Sequence, residues 1–160
     1  MKINHRIIRG RIAERLLLFI AEEPAQGSAV GKNKSFRRSL RNAIKGIALT
    51  YMSERNFRFE VAMTVVAIAA GFLLGIGTIE WALVLTNIFF VLSLEVKNTS
   101  MELTVDLVTS SYHYNAKGSK DAASGAVLLS ALSSLCTGAL VFGPRLVDLA
   151  SSLMRGVSDR

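Results

Sequence analysis

Charged residues divide the chain into apolar runs. No charge occurs from 61 to 79, between Glu60 and Glu80, or from 81 to 94, between Glu80 and Glu95. A third uncharged run covers 122–144, between Asp121 and Arg145. A bilayer core ~30 Å thick needs about 20 apolar residues at the helical rise of 1.5 Å. The pattern therefore predicts an all-α membrane protein with three transmembrane helices, at about 60–79, 81–108 and 121–143. A tight turn near Gly77–Glu80 joins the first two, Trp81 falls where an interfacial aromatic belongs, and Pro144 is placed to stop the third. Gly71, Gly75 and Gly77 read as close helix packing within a span.

A different pattern precedes these runs. Phe36, Leu40, Ile44, Ile47 and Tyr51 step by four, four, three and four, with Arg37, Arg38, Arg41 and Lys45 mostly on other faces. This predicts an N-terminal amphipathic helix lying at the membrane surface. Before it, residues 1–23 read as a short basic amphipathic helix and 24–35 as a Pro/Gly/Ser linker. The apolar stretch Leu16–Ala21 is too short for a signal-peptide core. The expected organisation is a basic extension and linker over 1–35, a membrane domain over 36–145 and a tail over 146–160.

Composition narrows the class. The 160 residues are 51% hydrophobic and 19% charged, with mean hydropathy +0.39, which excludes a disordered or collagen-like chain. The single cysteine excludes an internal disulfide framework. The net charge of +7 raises nucleic acid as a partner, but 13 of the 19 Lys and Arg residues fall within 1–60, before the long apolar runs. Cations concentrated beside a membrane meet anionic lipid headgroups rather than nucleic acid. The positive-inside rule then places the N-terminus and the 109–120 loop in the cytoplasm, and the 75–80 turn and C-terminus outside.

The candidate chemistry lies in SLEVKNTSMELTVDLV, residues 93–108. Glu95, Asn98, Glu102 and Asp106 are spaced three, four and four, so they share a helix face. An acid at the centre of a membrane helix costs about 2.5–3.5 kcal/mol on insertion scales, so such a stripe faces a bundle interior or a wet cavity. The alternative is a membrane span ending near Leu94, followed by a solvated helix. Two further segments bring charge to the same end: SERNFRFE with Glu54 and Glu60, and YHYNAKGSKD with Lys120 and Asp121. Carboxylates, an amide and a lysine at one membrane surface suit a hard cation and a phosphate. The Gly27–Asn33 stretch lacks P-loop spacing; His5, His113 and Cys136 form no zinc pattern; no nucleophile triad can be assembled.

The motif Glu95-x-x-Asn98-Thr99-x-x-Glu102-x-x-x-Asp106, then Tyr112-His113, Lys120-Asp121 and Gly125-Ala126-Val127, resembles the prokaryotic diacylglycerol kinase family, which includes the undecaprenol kinases. Glu54-x-x-Phe57-Arg58 matches the family's stretch before its first span, and the resemblance covers about 36–145. It implies a homotrimer with active sites shared between subunits, in the cytoplasmic (inner) membrane and facing the cytoplasm. It also implies transfer of a phosphoryl group from ATP to diacylglycerol or undecaprenol. Carried over residue by residue, Glu54 and Glu102 would hold Mg²⁺ of MgATP and Glu95 would be the general base. Asn98 would orient the lipid hydroxyl, Lys120 and Asp121 would engage the nucleotide, and Asp106 and Ser124 would support the site. Lys97 departs from the family's apolar residue, but it lies about 200° around the helix from Glu95. A non-catalytic scaffold or inactive family member is the alternative function; an ion-conducting oligomer would leave Glu54, Lys120 and Asp121 without a role.

Overall fold

A computed structural model describes residues 36–158, all of them helical apart from short connections. The basic extension and linker expected over 1–35 lie outside the described residues. Four helices follow in order: α1 Phe36–Ser53, α2 Arg55–Leu73, α3 Thr78–Val108 and α4 Tyr114–Ser158. The chain divides into two compact units at Arg55–Asn56.

Within the first unit, α1 keeps its apolar stripe in the open: Phe36, Leu40, Ile44, Ile47 and Tyr51 are all exposed. Thr50, near its end, is buried and donates its hydroxyl to the Gly46 carbonyl at 3.1 Å. The amphipathic helix is where the periodicity puts it.

The second unit contains the three helices long and apolar enough to cross a membrane. At ~1.5 Å per residue, α2 is about 28 Å long, α3 about 46 Å and α4 about 68 Å. Many of their large side chains point outward, including Phe72, Phe89, Leu135 and Leu140. Apolar surface on that scale belongs in contact with lipid or other subunits rather than water.

Local chemistry sets the turn between α2 and α3. Gly75 adopts φ 61°, the Gly75 N–H donates to the Phe72 carbonyl at 3.3 Å, and the Ile76 N–H donates to the Gly71 carbonyl at 3.1 Å. This is a Schellman closure with glycine at the left-handed position. One residue later Gly77 caps α3, and the Glu80 carboxylate accepts its N–H at 2.6 Å. The turn thus falls over 74–77, and the first span ends six residues before the expected boundary at 79. Tertiary contacts then fix the corner. Ile76, Val84 and Val141 are buried together, with Trp81, Ile88 and Phe142 packed around them. Trp81 lies so close to Gly71 that a Cβ there would meet its ring at 2.7 Å.

The third span departs furthest from expectation. Pro144 does not stop it: α4 begins at Tyr114, not 121, and runs through the proline to Ser158. Proline has no N–H for the carbonyl four residues back, and its ring crowds that turn. Arg145 donates Nη1 to the carbonyl of Val141 at 3.0 Å, the residue next to Leu140, whose carbonyl the proline cannot serve. Its guanidinium also grips both Glu80 carboxylate oxygens at 2.7 Å, tying the proline turn to the start of α3.

Candidate functional site

Packing of α3 against α4 covers the first part of the predicted polar stripe. Glu95 is only 2% exposed, Asn98 7% and Thr99 4%, although they stand among lipid-type side chains. This part of the stripe faces inward, so the helix is not solvated directly after Leu94; further along α3, which ends at Val108, Glu102 is half-buried and Asp106 exposed. Lys97, two residues beyond Glu95, is exposed on the opposite side, as its helical angle requires.

A chain of hydrogen bonds orders the middle of the site. Asn98 donates Nδ2 to Glu102 Oε1 at 3.1 Å, four residues along the same face. From α4, the Ser124 hydroxyl donates to Asn98 Oδ1 at 3.4 Å. The amide is thus oriented from both sides, its oxygen toward α4 and its nitrogen toward the carboxylate. Thr99 turns its hydroxyl back onto the Glu95 carbonyl at 3.1 Å, which keeps that polar group satisfied without drawing on the stripe.

Further along, Lys120 on α4 pairs with Asp106 on α3 at 2.5 Å. Asp121 turns the other way and pairs with Lys117 on the exposed face. The structure therefore joins Asn98, Glu102 and Ser124, joins Asp106 to Lys120, and leaves Asp121 on a separate ion pair. Lys120 and Asp106 also line an open cleft of about 470 Å³ with Thr109, Tyr112, His113 and Lys117. Glu54 belongs to the first unit, in the one-residue break between α1 and α2, where its N–H donates to the Thr50 carbonyl at 2.8 Å.

Glu60 is a residue that helix spacing did not select. It lies in the first turns of α2, within electrostatic range of Glu95, and its Oε2 is buried without a hydrogen-bond partner. A charge next to the start of an apolar run reads as a flanking acid in the sequence. Only the approach of α3 reveals it as part of the interior.

The donor set bears on a metal. Among the described residues, no three His, Cys, Asp or Glu side chains gather closely enough to hold an ion alone. Mg²⁺ carried by a nucleotide asks less, one or two carboxylates with phosphate and water completing the octahedron. The half-buried Glu102 carboxylate, oriented by Asn98, fits that smaller demand.

Comparison with known proteins adds the family. The family model for prokaryotic diacylglycerol kinase matches residues 41–142, which include the whole polar stripe and the Lys120–Asp121 pair. Undecaprenol kinase of Bacillus subtilis is 42% identical over 111 residues, covering 69% of this chain and 90% of the relative. Diacylglycerol kinase of Synechocystis is 35% identical over 130 residues, 81% of this chain and 74% of the relative. Diacylglycerol kinase of Escherichia coli is 28% identical over 93 residues, 58% of this chain and 76% of the relative. With this match spanning most of the chain, and Glu95, Asn98 and Thr99 of the motif buried along α3, the protein belongs to the prokaryotic diacylglycerol kinase family.

Proposed function

We propose that this multi-pass membrane kinase transfers the γ-phosphoryl group of MgATP to the hydroxyl of a membrane-embedded lipid alcohol at the cytoplasmic surface. The observation that carries this reading is the buried Glu95 one turn from an Asn98 held by Glu102 and Ser124. Phosphoryl transfer depends on positioning and charge neutralisation, which a small helical frame can supply.

In this scheme Glu95 accepts the hydroxyl proton as the oxygen attacks phosphorus, and Asn98 orients that hydroxyl. Glu102 would hold the Mg²⁺ carried by the nucleotide, which would neutralise phosphate charge, and Glu54 is the second carboxylate proposed for that ion. Lys120 engages the nucleotide from the cleft beside Tyr112 and His113, where Asp106 fixes it by their ion pair, and Asp121 engages it from its pairing with Lys117. Ser124 supports the site through the Asn98 amide. A homotrimer would complete each site with residues from a neighbouring subunit, consistent with the apolar surface left open on the spans.

Identity to the Bacillus undecaprenol kinase, 42%, exceeds that to the Synechocystis diacylglycerol kinase, 35%, and makes the polyprenol the first acceptor to offer. The test is transfer of labelled γ-phosphate from MgATP in mixed micelles, with undecaprenol and diacylglycerol supplied separately and Glu102→Ala as the blank. Label in undecaprenol, absent from the blank, is the expected result. Preferential label in diacylglycerol would overturn the choice of acceptor, and no label in either from a folded oligomer would overturn the proposed reaction.

A further inference from the structure

Among the described helices, α4 packs extensively on α3 alone. Its place depends on that one interface, and lipid gives apolar helix surfaces little reason to prefer one register over another. Polar bridges supply the preference at four levels. Glu80–Arg145 joins the start of α3 to α4, and Asp106–Lys120 joins its end, both as ion pairs. Asn98 and Ser124 form a third bridge, within the site. The fourth is at Asn87 and lies outside it.

Asn87 falls in the uncharged run 81–94, where an amide must find its partners in protein rather than water. Both of its ends are occupied. Nδ2 donates to the Thr137 hydroxyl at 3.1 Å and to the Leu83 carbonyl at 3.0 Å. Oδ1 accepts from the Ser133 hydroxyl at 3.1 Å. Between Ser124 and Arg145, ~31 Å of helix, these are the only side-chain hydrogen bonds from α4 to α3 among the described residues. Asn87 precedes Asn98 by three turns plus about 20°, so both amides meet α4 from one side of α3. The Ser124–Asn98 bond is the longest of the bridges at 3.4 Å, beyond the usual range for a hydroxyl donor. A small slip of α4 would break it first.

We propose that Asn87 is a positioning residue for phosphoryl transfer, holding α4 in register so that Ser124 stays on the Asn98 amide. This rests on the lipid-kinase reading, in which Asn98 orients the attacking hydroxyl. The chemistry of the bridges agrees with such a division of labour. Charged pairs serve the two ends of α3 and neutral amides serve the stretch between, as the cost of burying charge in a membrane requires.

Asn87→Leu removes the amide while filling similar volume. The freed Ser133 and Thr137 hydroxyls can bond back to carbonyls of their own helix, so the variant should keep its fold. The first readout is a double-mutant cycle in kcat with saturating MgATP and lipid acceptor. Asn87→Leu and Ser124→Ala should each lower kcat severalfold, and the double variant should be no slower than the slower single one. An amide that only stabilised the helix pair would give losses that multiply. The second readout needs no turnover. Spin labels on Leu107→Cys and Ala122→Cys, both at exposed positions, report the spacing of α3 and α4. They are placed in a Cys136→Ala background and diluted with unlabelled protein. The distance distribution should broaden in Asn87→Leu and narrow again when Asn87→Thr is combined with Thr137→Asn, which returns the amide from the other helix. Multiplying losses of kcat, or a distribution unmoved by Asn87→Leu, would overturn the proposal. A parent protein without turnover would strike the kinase reading alone, since the labels decide the register without ATP.

Discussion

At the scale of single residues, the site is ordered by one amide and two carboxylates with different surroundings. Asn98 is fixed at both ends, by Ser124 on one side and Glu102 on the other. Glu95 is deeply covered at 2% exposure, whereas the Glu102 carboxylate is half-buried. Glu95→Gln keeps shape and burial while removing the proton acceptor. It should lower kcat by about 10²- to 10⁴-fold, the usual contribution of general base catalysis, with an unchanged oligomer on size-exclusion chromatography. Glu60 answers to a different balance. A buried carboxylate oxygen without a donor, near a second carboxylate, costs stability. Glu60→Gln should therefore stabilise the fold by about 1 kcal/mol in a denaturant titration while depressing turnover, the trade that functional sites commonly show. The Glu95–Asp106 stripe was legible in the sequence because spacing of three and four residues is a property of one helix. Glu60 was read at the same end of the bundle, but its burial was not, because that is created by a neighbouring helix and leaves no local periodicity.

At the scale of elements, the corner between α2 and α3 depends on two glycines for separate reasons. Gly75 supplies a left-handed backbone, and Gly71 supplies space for the Trp81 ring. The Cβ of Gly71→Ala would meet a rigid aromatic rather than a flexible chain end. That substitution should cost about 1–3 kcal/mol, the range for forced overpacking, measured by unfolding in mixed micelles. Arg145→Met tests the other corner. It removes both the grip on Glu80 and the extra donor to the Val141 carbonyl. The expected result is a lower unfolding midpoint together with faster hydrogen exchange in the turn around Pro144. Here the sequence misled. Proline is a strong helix-stop signal in water, but the signal says nothing of an arginine one residue later that ties the proline turn to Glu80 on α3. The starts and ends of the uncharged runs located the spans; α4 extends past both of its limits, whereas α2 stops short of 79 because the glycine turn closes it.

For the molecule as a whole, the architecture of a surface helix and three spans follows from hydropathy alone, since uncharged runs of this length have few other uses. The site is less fully contained in the sequence. Spacing aligns the acids on α3, yet the pairing of Ser124 with Asn98 and of Lys120 with Asp106 comes only from α3 and α4 lying side by side. The family match begins at residue 41, so the preceding basic extension lies outside the shared catalytic core. Removal of residues 1–33 should accordingly leave kcat in mixed micelles within about twofold, whereas the Glu95 variant loses orders of magnitude. A comparable loss on truncation would assign the extension a catalytic part.

Helix α4 continues for 13 residues after Arg145, about 20 Å at the helical rise. For imaging, that continuation is a handle. A helical protein spliced in register onto it would inherit the direction of the span instead of swinging on a linker. Each added residue would also turn the attached mass by about 100° around the helix axis. A small membrane enzyme that offers little for particle alignment would thereby gain a rigid fiducial, with its orientation chosen by counting residues.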